Sequence, residues 1–78
     1  MRRYYFHIRR GAEILEDHEG MELPTHEAVL EEAIAAAREI MASRISSGDL
    51  IDDEAFEVVD ERGETVLNLP FRSALTLE

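Results

Sequence analysis

One apolar stripe at three- and four-residue steps, Leu30, Ala33, Ile34, Ala37, Ile40, Met41 and Ile45, constrains this chain more than any other feature. It marks a helix with a single buried side. Glu31, Glu32, Arg38, Glu39 and Arg44 lie mostly away from that side, and four alanines at 33 and 35–37 favour helix and allow close approach to a covering layer. The ends are signposted. Pro24 disfavours helix at Leu23, Thr25 is placed as N-cap, and Glu27 falls in the first turn, where the helix dipole favours an acid. Ser46-Ser47-Gly48 supplies the stop, with Gly48 as C-cap.

Such a helix needs a surface to cover, and the flanking segments provide strands. Tyr4, Phe6 and Ile8 alternate with Arg3, Tyr5, His7 and Arg9, the period-two pattern of a strand with one buried face. Gly11 permits a turn, so residues 3–16 read as a hairpin whose short, acidic second strand suits a sheet edge. Asp17-His18-Glu19-Gly20-Met21-Glu22-Leu23-Pro24 then reads as an acidic turn leading into the helix. Beyond the helix, residues 49–54 form a polar connector. Residues 55–60 and 64–69 flank a turn at Asp60-Glu61-Arg62-Gly63 and make a second hairpin. Phe56 and Val58 share one face, Thr65, Leu67 and Leu69 alternate, Pro70 ends the ladder, and Phe71, Ala74 and Leu75 fold back on the core. The expected fold is therefore α+β. Its order is β-β-α-β-β, a four-stranded antiparallel sheet with strands in the order 2-1-3-4 and one helix packed on one face. Residues 1–76 make one domain, and Leu77-Glu78 could be a cloning scar with no functional weight.

Composition narrows the partners. Seventy-eight residues without cysteine bury a small core and have neither disulfides nor thiolate metal sites to support it, which fits a cytoplasmic setting. The longest uncharged run is the seven residues 65–71, against the roughly 20 a membrane helix needs, so no membrane role is expected. Eighteen acids face eight arginines and no lysine, for a net charge of −10. Four of the arginines stand in the first eleven residues, which hold no acid. The Arg-aromatic strand resembles a single-strand nucleic-acid platform, but the acidic remainder repels a polyanion, and nucleic acid is not expected as a partner.

The sequence contains no catalytic constellation. Serines 43, 46, 47 and 73 lack a nucleophile-elbow pattern, and abundant carboxylates without a dry cleft do not make an acid–base pair. His7, His18 and His26 have no two-on-one-helix spacing, and Asp49, Asp52, Asp53 and Glu54 lack loop-site grammar for calcium, so no metal and no cofactor are expected. The four glycines do not cluster into a phosphate cradle. What is left is the sheet face opposite the helix. Tyr5, His7, Arg9, Val59 and Val66, with Met21 beside them, form the candidate interaction surface, suited to a protein partner or to self-association. The expected protein is a small non-enzymatic interaction module, with homodimerisation through the open face or an edge strand as one form of that interaction. The alternative is an acidic regulator, antitoxin-like or a nucleic-acid mimic, acting on a basic partner.

Arg3-Tyr4-Tyr5-Phe6-His7, Asp17-x-Glu19-Gly20-x-Glu22-Leu23-Pro24, Glu27-Ala28, Asp60-Glu61-x-Gly63 and Pro70-Phe71-Arg72-x-Ala74 together resemble a family of short alphaproteobacterial proteins of unknown function. The likeness spans nearly the whole chain. Family members usually carry proline at the position of Arg2 and an acid at that of Arg10, so the extra N-terminal basicity is a departure. The resemblance supports the layout and implies no activity, substrate or site residues.

Overall fold

The computed structural model describes residues 1–48 and 53–76. Most of the expected polar connector and the terminal dipeptide lie outside the described residues. The elements run β1 (Arg2–Arg10), β2 (Glu13–Leu15), β3 (Met21–Leu23), α1 (His26–Ser47), β4 (Glu54–Val59), β5 (Thr65–Pro70) and a 3-10 turn (Phe71–Leu75). Every pairing is antiparallel. The path β2-β1-β4-β5 is the expected 2-1-3-4 order, and β3 joins it as a fifth strand on β1.

That fifth strand corrects the sequence reading, which placed Met21, Glu22 and Leu23 in a turn. Its cause is a mismatch of length. β1 has nine residues, and β2 covers only Ile8, Arg9 and Arg10 of them. Backbone groups of Arg2, Arg3 and Tyr4 would face the edge without partners, and β3 pairs with those three residues. The Phe6 amide donates to the loop between β2 and β3, so the two short strands lie along one edge of β1 with a break between them.

The helix begins and ends where its capping residues dictate. Thr25 is extended at φ −145°, and its hydroxyl accepts from the Ala28 amide at 3.0 Å. Gly48 takes the left-handed conformation at φ 75°, and its amide closes on the last carbonyls. The buried side differs from the expected stripe at both ends. Val29, Ala33, Ala37 and Met41 are buried, whereas Leu30 is 40% and Ile45 59% exposed. Four-residue steps rotate a helix face by about 40° each. The buried line thus starts on Val29, one position early, and finishes on Met41, one turn short of Ile45.

Ala33 and Ala37 have no exposed surface, and Phe71 and Ala74 are also buried in the core that helix and sheet share. Arg38 Nε donates to the Ala74 carbonyl at 2.8 Å, tying the 3-10 turn to the helix. Leu75, expected in the core, is 54% exposed because it ends that turn. Phe56 sits at the aromatic centre, 4.8 Å from Phe71 and 5.9 Å from Phe6 between ring centroids. Full burial of a side chain of this kind contributes about 1.5–3 kcal/mol.

Glu54 is a second correction. Expected in the connector, it opens β4 and is buried, directly opposite Arg10. Arg10 Nε donates to its Oε2 at 3.0 Å, and Arg44 from the last turn of α1 meets Oε1. One carboxylate thus joins β1, β4 and the helix.

Candidate functional site

The outer face of the sheet, away from α1, is built by the odd-numbered positions of β1 and β4. Tyr5 lies opposite Val59, His7 opposite Glu57, and Arg9 opposite Ala55 on one side and Ile14 on the other. Four of the five expected surface residues, Tyr5, His7, Arg9 and Val59, therefore share one face. Val66 does not join them. The ladder shifts between Val58 and Val59, pairing Val58 with Leu67 and Val59 with Thr65. Val66 is the extra residue of that bulge, and it packs on the core together with Leu67. Met21 also leaves the outer face, since it is registered with buried Tyr4.

Charge on this face cancels locally. Arg9 donates to Glu57 Oε1 through Nε at 2.9 Å and Nη2 at 2.7 Å, and Arg3 lies 3.8 Å from Glu22. With Arg10 bound to Glu54, three of the four N-terminal arginines have partners on neighbouring strands. The basic character of β1 is thus matched by acids its own sheet supplies. Tyr5, His7 and Val59 are half-buried, and Ile14 is exposed at the rim.

The break between β2 and β3 is held by Asp17. Its Oδ2 accepts from the Phe6 amide at 3.1 Å, and its Oδ1 accepts from the Glu19 and Gly20 amides, each at 3.1 Å. Its own amide donates to His7 Nδ1 at 3.0 Å. A carboxylate thereby does the work of a missing strand partner on the β1 edge. Partial burial pushes the Asp17 pKa upward, but the three backbone amides and neighbouring His7 outweigh it and hold the group below its ordinary value. Gly20 completes the turn at φ +72°, where a Cβ would lie 2.9 Å from Arg3 Cγ and from Tyr5 Cε1. Only glycine fits both that conformation and that contact.

Behind this turn, on the helix side, a groove of about 340 Å³ opens between sheet and helix. Phe6, Met21, Phe56 and Ala36 give it apolar walls, and Asp17, Glu19 and Glu32 bring three acids to it. It exists for two reasons. The strand break leaves a single carboxylate rather than a strand beside Phe6 on the β1 edge, and alanine at position 36 leaves the facing side of the helix short. The sequence reading missed this site. Its available signal was the Asp17-x-x-Gly20 spacing, an aspartate placed to cap its own turn, followed by small Ala36 one turn after acidic Glu32.

The three histidines stand apart. His7 accepts from Asp17, His26 packs edge-on against Tyr4 with centroids 6.2 Å apart, and His18 is exposed on the turn. Among the described residues no three His, Asp or Glu side chains gather as a metal site would require, and no helix is long and apolar enough to cross a membrane. The second perturbed acid, Asp60, is held below its ordinary value by the Glu64 amide first and the Arg62 amide after it, in the turn between β4 and β5.

Residues 3–72 match the family model described as Domain of unknown function (DUF6894), and the chain belongs to that family. No curated protein and no solved structure matches it at a significant level.

Proposed function

We propose that this member of a family of unknown function is a non-enzymatic, cytoplasmic interaction module that pairs with a second copy of itself through the outer sheet face. The observation that carries the reading is the local charge cancellation on that face. A chain at −10 repels its own copies over most of its surface. Around Tyr5, His7 and Val59, however, Arg9 is already paired with Glu57, so two such faces can meet without burying a lone charge. Small domains also gain stability by pairing. The non-enzymatic part of the reading is supported by Asp17 and Asp60, two acids held below their ordinary values among the described residues, because both are engaged by backbone amides in shaping turns. Both act as turn formers.

Sedimentation equilibrium at two protein concentrations and two salt levels tests the reading. Mass should rise toward the dimer with concentration and should hold or increase at high salt, where repulsion between acidic protomers is screened. Val59→Glu should return the monomer while the circular dichroism stays unchanged. A monomer at both concentrations overturns the proposal.

A further inference from the structure

We infer that the groove between α1 and the broken edge of β1 is a binding site for a peptide segment of another protein, one that carries a single bulky apolar side chain flanked by basic residues. The inference is independent of self-association, because groove and outer face lie on opposite sides of the sheet. The two readings fail separately.

Size and chemistry together choose the occupant. At about 340 Å³ the groove lies at the low end of ligand clefts, room for one large side chain with a little backbone. Phe6, Phe56 and Ala36 offer that side chain an apolar bed, and Met21, 40% exposed at the opening, has the unbranched, adaptable side chain suited to varied apolar partners. The rim is acidic. Asp17 is committed to the turn, but the Glu19 and Glu32 carboxylates take part in no ion pair among the described residues. They are placed to meet cations entering beside the apolar anchor. The chain's own basic strand is not the occupant, because Arg3, Arg9 and Arg10 are already paired inside the protomer. An acidic or neutral apolar peptide meets the same bed but faces an uncompensated rim.

The probe is a fluorescently labelled nine-residue peptide with one central leucine and two lysines on each side, titrated with the full chain and followed by anisotropy. Its comparison peptides replace the leucine by glycine or the lysines by glutamate. The leucine–lysine peptide should bind, both comparison peptides should bind at least about tenfold more weakly, and raising salt from low to high should weaken the first by about tenfold. Ala36→Trp should fill the groove and abolish binding, while Glu32→Lys should weaken it at least about fivefold and Glu31→Lys, on the exposed side of the helix, should leave it unchanged. Urea midpoints confirm that the variants fold. Absence of binding overturns the inference, as does equal binding of the glycine peptide. Equal weakening by Glu31→Lys would mean that overall acidity, not this groove, attracts the peptide. Leucinamide binding as tightly as the peptide would assign the groove to a small molecule instead.

Discussion

The two flanks of this sheet are held by different forces. On one side β4, β5 and the 3-10 turn bury Phe56, Val58, Leu69, Phe71 and Ala74 under the helix. On the other, β2 and β3 are three residues each, mostly exposed, and are held to β1 by short ladders, by Asp17 and by the Arg3 donation to the Glu19 carbonyl at 2.7 Å. Apolar burial is non-directional and indifferent to pH, whereas a carboxylate bridging backbone amides depends on one ionisation state and one geometry. The polar flank is therefore the part that opens first, and it is also the flank that carries the groove.

The largest expected effect lies on the apolar side. Phe71→Ala should cost about 3–5 kcal/mol, a large share of the stability of a domain this small. Urea unfolding followed by circular dichroism measures it, and a loss under about 1 kcal/mol would show that the 3-10 turn is not part of the core. Gly20→Ala comes next at about 1–3 kcal/mol, since the new methyl meets Arg3 and Tyr5 in a left-handed backbone. Here hydrogen exchange sharpens the contrast. Amides of Arg2 and Tyr4 should lose protection while those of β4 and β5 keep it, and uniform loss would mean that both flanks unfold as one unit.

Asp17→Asn should be the mildest, about 1 kcal/mol, because the amide keeps one acceptor oxygen and replaces the other with a donor facing an amide. Acid should reproduce it. A carboxyl held below its ordinary value of 3.8 stabilises the folded state fully above that value, and the contribution fades as pH falls through the lower folded value. Protection of the Phe6 amide should drop in that range in the parent chain and show no such step in Asp17→Asn. A step of equal size in the variant would assign the effect to another acid.

Much of this layout can be read along the chain because its causes are local. Thr25 caps the helix through a hydroxyl three residues from the amide it serves, Gly48 stops it by conformation, and Asp60 with Gly63 shapes the second turn through contacts within five residues. Period-two alternation places Tyr4 inside and Tyr5 outside, which makes four members of the proposed outer surface visible without coordinates. The misses have a common origin in partners distant along the chain. Val66 turns inward because a bulge inserts it beside Leu67 against Val58, and a bulge is a property of two paired strands. Glu54 is buried because Arg10 and Arg44 converge on it from 44 and 10 residues away.

Asp17 shows the boundary most clearly. Its spacing to Gly20 foretells a turn, since an aspartate oxygen reaches the amides two and three residues ahead wherever the backbone bends that way. Residue order alone thus settled the helix, its caps, the two hairpins and the alternation of faces, all products of short-range sterics and hydrogen bonding. That the same carboxylate also takes the Phe6 amide, splits one edge into two strands and leaves a groove behind it was settled by packing. Those outcomes depend on the unequal lengths of β1 and β2 and on the space beside Ala36, quantities that exist only once distant segments lie together.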